Sequence, residues 1–184
     1  SKREFDRTYA ILRRERRGRV NYSPKRHIAL LSHTCAFNKR AAIAAYAKVL
    51  TGARAYLDPA AKPLLRILHQ QGHSLLLATR GEPAFQRQKL ATLGLTPFFS
   101  RIIISPAEKH TVMLAALRRR ETQQPIVFVN DNKRELRNIK RFLPRAICIE
   151  RRGGRRAARS PWLSYRSLTA IGRAIKRISY ATNP

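Results

Sequence analysis

The strongest constraint on the fold is a regular alternation of short apolar runs and amphipathic segments from residue 60 onward. The apolar runs, rich in isoleucine, valine and leucine, predict strands at 74–79, 101–105, 126–130 and 146–150. The segments around them predict helices at 60–71, 83–93, 108–120 and 133–142. Strands that alternate with helices through short loops are typical of a parallel sheet covered by helices. We therefore predict an α/β protein with a Rossmann-like parallel sheet flanked by helices.

The first 55 residues differ from the rest of the chain, because they contain helical patterns and no clear strand. Helices are predicted at 4–16, 24–33 and 38–50. The second of these begins at Ser23-Pro24, where serine is a good N-cap and proline suits the first helical position. We divide the chain into a helical cap-like subdomain (1–55), an α/β core (56–150), and a basic linker with a C-terminal helix (151–184, helix 162–180).

The charge of the chain is its second main feature. It has 39 lysines and arginines against 10 aspartates and glutamates, a formal net charge of +29, and 29 of the 39 cations are arginine. Such self-repulsion is relieved by an anionic partner, and arginine suits phosphate because its planar fork binds two oxygens. RNA, together with ribosomal proteins, is the predicted partner. An anionic membrane surface and a compositional bias without function are the alternatives.

The two cysteines and the apolar runs bear on the compartment. Cys35 and Cys148 lie far apart without a metal-binding spacing, and the apolar surroundings of Cys148 predict a buried, inert thiol. No run reaches the roughly 18–20 residues of a membrane span, and no secretory signal is evident. We expect an intracellular, reducing compartment, with the chain bound to ribosomes in the cytoplasm or an organelle. The first residue is Ser1, which fits either removal of methionine or a larger loss upstream.

Polar residues follow the predicted strands at their carboxyl ends, where parallel sheets bind ligands. Thr79, Ser105 and Asn130-Asp131 occupy these positions, and Glu135 follows Asp131 by four residues. Each has a simpler explanation: Thr79 ends a strand, Asp131 caps the next helix, and Glu135 pairs with a neighbouring cation, Arg134 or Lys140.

Three of these segments, taken in order, resemble motifs two to four of the haloacid dehalogenase-like (HAD) superfamily. They are LLLATRG, the lysine of SPAEKHTVM, and VFVNDNKREL, and the resemblance covers roughly residues 56–155. It implies that Thr79 holds a substrate phosphoryl group and that Lys109 stabilises its charge. It also implies that Asp131 and Glu135 bind Mg²⁺ through oxygen ligands, with Asn130 replacing the usual glycine.

The family's first motif, a strand that ends in DxDxT, is missing from these residues. Its first aspartate is the nucleophile and its second the acid and base. EFDRT at 4–8 has Glu4 in place of the nucleophile. Only three polar residues precede it, which is too few for a buried strand. IALLSHTCAF at 28–37 has Ser32 and Thr34 where the aspartates belong. Hydrolysis by the family's mechanism is therefore not possible with the residues given.

Three explanations remain for this gap, since the first strand of the family lies centrally in the sheet. Upstream residues supply it, residues 28–34 fill its place as a degenerate strand, or a partner does. We favour a truncated or lost first strand, and whether the chain is an enzyme is left open.

Three functions are compatible with these patterns, and two of them lead. The first is a catalytically degenerate HAD-like pseudoenzyme that binds RNA as a ribosome-associated or ribosomal component. Its predicted contacts are basic residues of the linker and the last helix, namely Arg151, Arg152, Arg155, Arg156, Arg159, Arg173, Lys176 and Arg177. The aromatic residues Trp162, Tyr165 and Tyr180 are candidates for base stacking. The alternative is a Mg²⁺-dependent phosphohydrolase of a small phosphorylated substrate, whose nucleophile lies upstream of Ser1. A membrane-surface protein ranks last.

Overall fold

The computed structural model describes residues 1–13, 22–117, 124–153 and 160–182. Eight α-helices lie within these ranges: α1 Lys2–Arg13, α2 Pro24–Leu31, α3 Lys39–Thr51, α4 Ala61–Gln70, α5 Pro83–Leu93, α6 Lys109–Ala116, α7 Lys133–Phe142 and α8 Leu168–Thr182. Short 3₁₀ turns add Gly52–Tyr56 and Thr96–Phe98. None of the helices in these ranges is long and apolar enough to cross a membrane.

The described strands are β1 Leu76–Arg80, β2 Arg101–Ser105, β3 Val127–Asn130, β4 Ile147–Arg151 and β5 Leu163–Tyr165. They form two parallel sheets, one with the order β1-β2 and one with the order β3-β4-β5. The predicted α/β class and the parallel direction are confirmed. The single continuous sheet is not seen among the described strands, because β1 pairs only with β2 and β3 only with β4.

Two compact units make up the chain. The first contains Ser1–Leu57 and Ser74–Lys109, with α1–α3, α5 and the two-stranded sheet. The second contains Asp58–His73 and His110–Pro184, with α4, α7, α8 and the three-stranded sheet. The domain boundaries near residues 56 and 150 stay predictions.

Local capping chemistry explains where several helices begin and end. The side chain of Ser23 accepts a hydrogen bond from the Arg26 amide, and Pro24 is the first residue of α2, as predicted. Gly94 ends α5 in the left-handed conformation (φ +63°), which glycine adopts without steric cost. The caps therefore confirm the two helix boundaries with the clearest local signals.

Two predicted elements need correction. Residues 28–34 do not form a degenerate strand, because α2 continues to Leu31 and a turn follows it. The predicted helix 162–180 begins only at Leu168, and residues 163–165 form β5 beside β4 instead. Pairing with β4 supplies backbone hydrogen bonds that a local helix pattern does not reveal.

A histidine joins α1 to α2 inside the first unit. The His27 Nε2 atom lies 2.9 Å from the Thr8 hydroxyl and 3.2 Å from the Phe5 carbonyl oxygen, and Thr8 is fully buried. The Thr8 hydroxyl donates to the Glu4 carbonyl at 2.7 Å. Tyr22 lies 3.5 Å from Nδ1. This pattern is satisfied by a neutral imidazole that donates from Nε2 and accepts from Tyr22 at Nδ1.

Acid is expected to loosen this helix pair. Burial lowers the pKa of His27 below its ordinary value, so below about pH 6.5 the unfolded chain takes up the proton before the folded one. Stability contributed by the neutral ring is full at pH 7.5 and falls as the pH drops, by at most about 1.4 kcal/mol per pH unit. This loss of stability is measured by hydrogen exchange of the α1 and α2 amides at pH 7.5 and 5.5, corrected for the intrinsic exchange rates.

The matched controls are His27→Gln, which removes the titration, and His33→Gln at an exposed position. His27→Gln should abolish the acid-dependent loss of protection, whereas His33→Gln should retain it. Equal acid sensitivity of wild type and His27→Gln contradicts the role of His27.

The second unit packs around β4 and α7. Its best-buried apolar side chains are Leu136, Ile139, Ile149 and Ile171, each at most 1% exposed. Cys148 is buried too, burial raises the pKa of its thiol, and its Sγ atom lies 3.7 Å from the Leu136 carbonyl oxygen. The predicted burial of this thiol is therefore confirmed, and its inertness stays a prediction.

Candidate functional site

Thr79 lies at the carboxyl end of β1, where its hydroxyl donates to Gln86 Oε1 at 3.3 Å. The Gln86 amide in turn donates to the Arg80 carbonyl at 3.2 Å, so this side chain closes over the turn into α5. Gly81 makes the close approach feasible: its φ is +141°, and an added Cβ would lie 2.8 Å from Gln86 Nε2. If the Thr79 hydroxyl donated to the phosphoryl group of a substrate, that bond would replace its hydrogen bond to Gln86.

Lys109 is the first residue of α6 and is half-buried. The loop before it is ordered by Ser105, whose hydroxyl accepts a hydrogen bond from the Ala107 amide at 3.0 Å. Thr79 and Lys109 both belong to the first unit, while Asp131 and Glu135 belong to the second. The predicted phosphoryl-binding pair and the predicted metal-binding pair thus lie in separate units.

The turn after β3 is built by two asparagines. Buried Asn130 accepts from the Asn132 amide at 3.0 Å, and Asn132 accepts from the Arg134 amide at 2.9 Å and the Glu135 amide at 3.4 Å. The N-cap of α7 is therefore Asn132, and the interpretation of Asp131 as that cap is wrong. Asp131 is exposed and remains open to solvent at the end of the sheet.

The predicted Mg²⁺ ligands lie in different surroundings. Glu135 is 5% exposed on the face of α7 that carries Leu136 and Ile139, whereas Asp131 is exposed. The described residues contain no group of three or more histidines, cysteines or carboxylates that could hold a metal ion. Mg²⁺ is usually bound through one or two carboxylates and several waters, so Mg²⁺ binding at Asp131 and Glu135 stays a prediction.

One buried acid was not among the predicted site residues. Glu150, the second-last residue of β4, is 5% exposed and lies 3.8 Å from the Lys133 ammonium group. The Ser164 hydroxyl donates to it at 3.3 Å, and Arg152 donates to Ser164. This network connects β5 and the start of α7 to β4, and it gives the buried carboxylate of Glu150 a structural role. Its only sequence signal is an acid at the end of a predicted strand.

Part of the predicted RNA-binding set is engaged in the fold. Arg151 lies 3.4 Å from Asp58 and donates to the Arg152 carbonyl at 2.6 Å, while Arg152 is bonded to Ser164. Arg155, Arg156 and Arg159 lie outside the described residues. Trp162 and Tyr165 are half-buried, and the side chain of Tyr180 is also outside the description. The two linker arginines that are described therefore have structural partners.

The cations of the last helix that are predicted to bind RNA face solvent. Arg173, Lys176 and Arg177 are exposed and lie on one side of α8 at spacings of three and four residues. Ile171, Ala174 and Ile175 are buried on the other side. Helix α8 therefore has a buried apolar side and an exposed basic side.

Comparison with known proteins adds no identification. No family model matches the chain, and no curated protein matches it significantly.

Proposed function

We propose that this protein binds RNA and that it is a catalytically degenerate HAD-like protein associated with the ribosome. The observation that carries the proposal is the uncompensated charge. If each of the 10 acids neutralised one of the 39 cations, 29 would remain without a protein counter-charge. A polyanion offers many phosphates at once and releases counterions on binding, which favours RNA as the partner.

Three further observations support the proposal. Helix α8 exposes a basic stripe, which a phosphate backbone can follow. Residues 1–184 contain no pair of aspartates in the DxD spacing on which the family's hydrolysis depends. The predicted metal ligands Asp131 and Glu135 differ in exposure, as described above. A binding role uses the charge and requires none of the missing catalytic parts.

Salt should weaken the interaction in a characteristic way. We expect submicromolar binding of the full chain to RNA at low salt, with log affinity falling linearly as log salt concentration rises. Each set of three phosphate contacts to a single strand, such as the three α8 cations can make, contributes about −2 to the slope, and hence roughly a twentyfold loss between 50 and 200 mM salt. Fluorescence anisotropy of labelled RNA measures both quantities.

A lack of measurable RNA binding at physiological salt would refute the proposal. The ribosomal assignment needs its own measurement, which is sedimentation of a native lysate through a gradient at low and at high salt. Near-equal stoichiometry with one ribosomal subunit at high salt supports it. Loss of the chain to the soluble fraction at high salt leaves RNA binding but removes the ribosomal role.

The second candidate is a HAD-type phosphohydrolase that uses Thr79, Lys109 and Asp131. It is favoured by the strand order, in which β1 and β3 each pair on one side only among the described strands. An additional parallel strand that carries carboxylates could pair with either edge. In this candidate Thr79 and Lys109 of the first unit would bind a phosphoryl group, and Asp131 and Glu135 of the second unit would be the candidate Mg²⁺ ligands. Phosphate release by a chain with upstream residues distinguishes this candidate from the first.

A further inference from the structure

The solvent face of α7 is basic along its length, with the exposed Asp131 two positions before the helix begins. The single acid within the helix, Glu135, is buried. The exposed charged residues of α7 and the loop after it are all cations, namely Arg134, Arg137, Lys140, Arg141 and Arg145. Lys140 contributes a hydrogen bond to the Ala146 carbonyl at 2.9 Å. The other four are arginines, whose guanidinium groups suit phosphate.

These arginines follow a line along the helix. Arg134, Arg137 and Arg141 are separated by three and four residues, which places them on one side of α7. At 1.5 Å per residue the line spans about 10 Å, a length comparable to two or three successive nucleotides. The opposite side carries Leu136 and Ile139, both completely buried, so the orientation of the stripe is held by the core.

An exposed aromatic stack lies at the carboxyl end of this stripe. Phe142 is 49% exposed and stacks on His110, with ring centroids 5.1 Å apart and an interplanar angle of 3°. The guanidinium carbon of Arg141 lies 5.6 Å from the Phe142 ring centroid. Asn138 lies 3.4 Å from His110 Nδ1 and helps to orient the imidazole. A large apolar ring is thus held in place while half of its surface faces water.

We infer that this surface of α7 binds a single-stranded RNA segment. The stripe of Arg134, Arg137 and Arg141 contacts consecutive phosphates, and an unstacked base extends the stack formed by Phe142 and His110. Proteins bind splayed bases with aromatic rings and with arginine planes, and both are present here. The inference rests on the proposed function and assigns to it a surface and a class of RNA.

The aromatic stack is what selects a single strand over a duplex. Phosphate contacts alone serve either form, because they carry no base information. A paired base is already stacked inside its helix, so the Phe142 ring adds nothing to duplex binding. Removal of the ring should therefore affect one form of RNA and not the other.

The test compares full-length variants by fluorescence anisotropy with a short labelled single-stranded RNA and with its duplex. The first variant is Arg134→Gln/Arg137→Gln/Arg141→Gln, which retains good helix formers. The matched control, Lys39→Gln/Arg40→Gln/Lys48→Gln, removes the same charge from exposed positions on α3. The second variant is Phe142→Leu, which keeps an apolar side chain against His110 but removes the aromatic face.

The α7 triple variant should lose about tenfold or more in affinity, and its salt slope should become shallower by about 2, or 0.7 per lost phosphate contact. The α3 control should lose about threefold or less, with little change of slope, because it only lowers the general charge. Phe142→Leu should weaken single-strand binding about tenfold, with the salt slope and duplex affinity unchanged. Circular dichroism and hydrogen exchange of α7 establish that each variant is folded.

The outcomes separate the two proposals. If wild type binds neither RNA, the proposed function itself fails. If wild type binds but the α7 triple variant loses no more affinity than the α3 control, this surface is not the RNA site, although RNA binding stands. Phe142→Leu with unchanged single-strand affinity, or with an equal loss for duplex, overturns the stacking of a base on Phe142.

Discussion

Replacement of Ile149 with alanine is expected to lower the free energy of unfolding of the second unit by about 3–4 kcal/mol. Ile149 is 0% exposed and lies in β4, which is paired on both sides. Its neighbours in register are Val129 on β3 and Leu163 on β5. Substitution removes buried carbon atoms and leaves a cavity that rigid neighbouring strands fill poorly.

Denaturant unfolding followed by the fluorescence of Trp162 measures this effect, since it is the only tryptophan and belongs to the second unit. Ile67→Ala is the matched control, because Ile67 is 51% exposed on α4 in the same unit. It should cost about 0.5 kcal/mol or less, since alanine also favours a helix. Equal losses in the two variants contradict the assignment of β4 as the centre of this core.

The second large effect is expected at Gly172, where α8 packs against α4. A Cβ atom added at Gly172 would lie 2.7 Å from Leu64 Cδ1, well inside van der Waals contact. Gly172→Val places a branched side chain there and should destabilise the second unit by about 2–3 kcal/mol through overpacking. Gly172→Ala should be near neutral, because the Leu64 methyl group can rotate away and alanine gains about 1 kcal/mol of helix propensity.

The same fluorescence assay measures these variants, and Leu64 supplies the decisive comparison. Adding Leu64→Ala to Gly172→Val should recover part of the lost stability, giving a coupling free energy between the two positions. If Leu64→Ala and Gly172→Val are simply additive, close packing at Gly172 is not the cause of the loss. The result bears on the proposed RNA binding as well, because the docked side of α8 fixes where Arg173, Lys176 and Arg177 point.

Sequence reasoning succeeded where the controlling chemistry was local. Ser23-Pro24 identified the start of α2, and Gly94 identified the end of α5, because a capping side chain or a left-handed residue acts within a few positions. The cap of α7 was assigned to the wrong residue, since Asp131 and Asn132 are adjacent and either side chain can cap. Local patterns therefore located the start of the helix but not the side chain that caps it.

Sequence reasoning failed where the residues that contact each other are distant in the chain. The three residues of β5 carry too little pattern to outweigh the helix that follows, and only pairing with β4 makes them a strand. Likewise, no local signal connects His110 to Phe142, which are 32 positions apart but stack face to face. Strand pairing across a sheet is equally non-local, so the division into two sheets was not predictable from the alternation of strands and helices.

The sheet edges have a consequence for how copies of this chain behave together. Among the described strands only β4 is paired on both sides, and β1, β2, β3 and β5 each have one side without a strand partner among them. Strand edges without a partner are templates for aggregation. Like-charge repulsion from a net charge of +29 keeps molecules apart at low ionic strength, and salt or a bound polyanion removes that protection. The arginines therefore act as colloidal stabilisers whatever their partner, and neutralising them lowers the barrier to self-association.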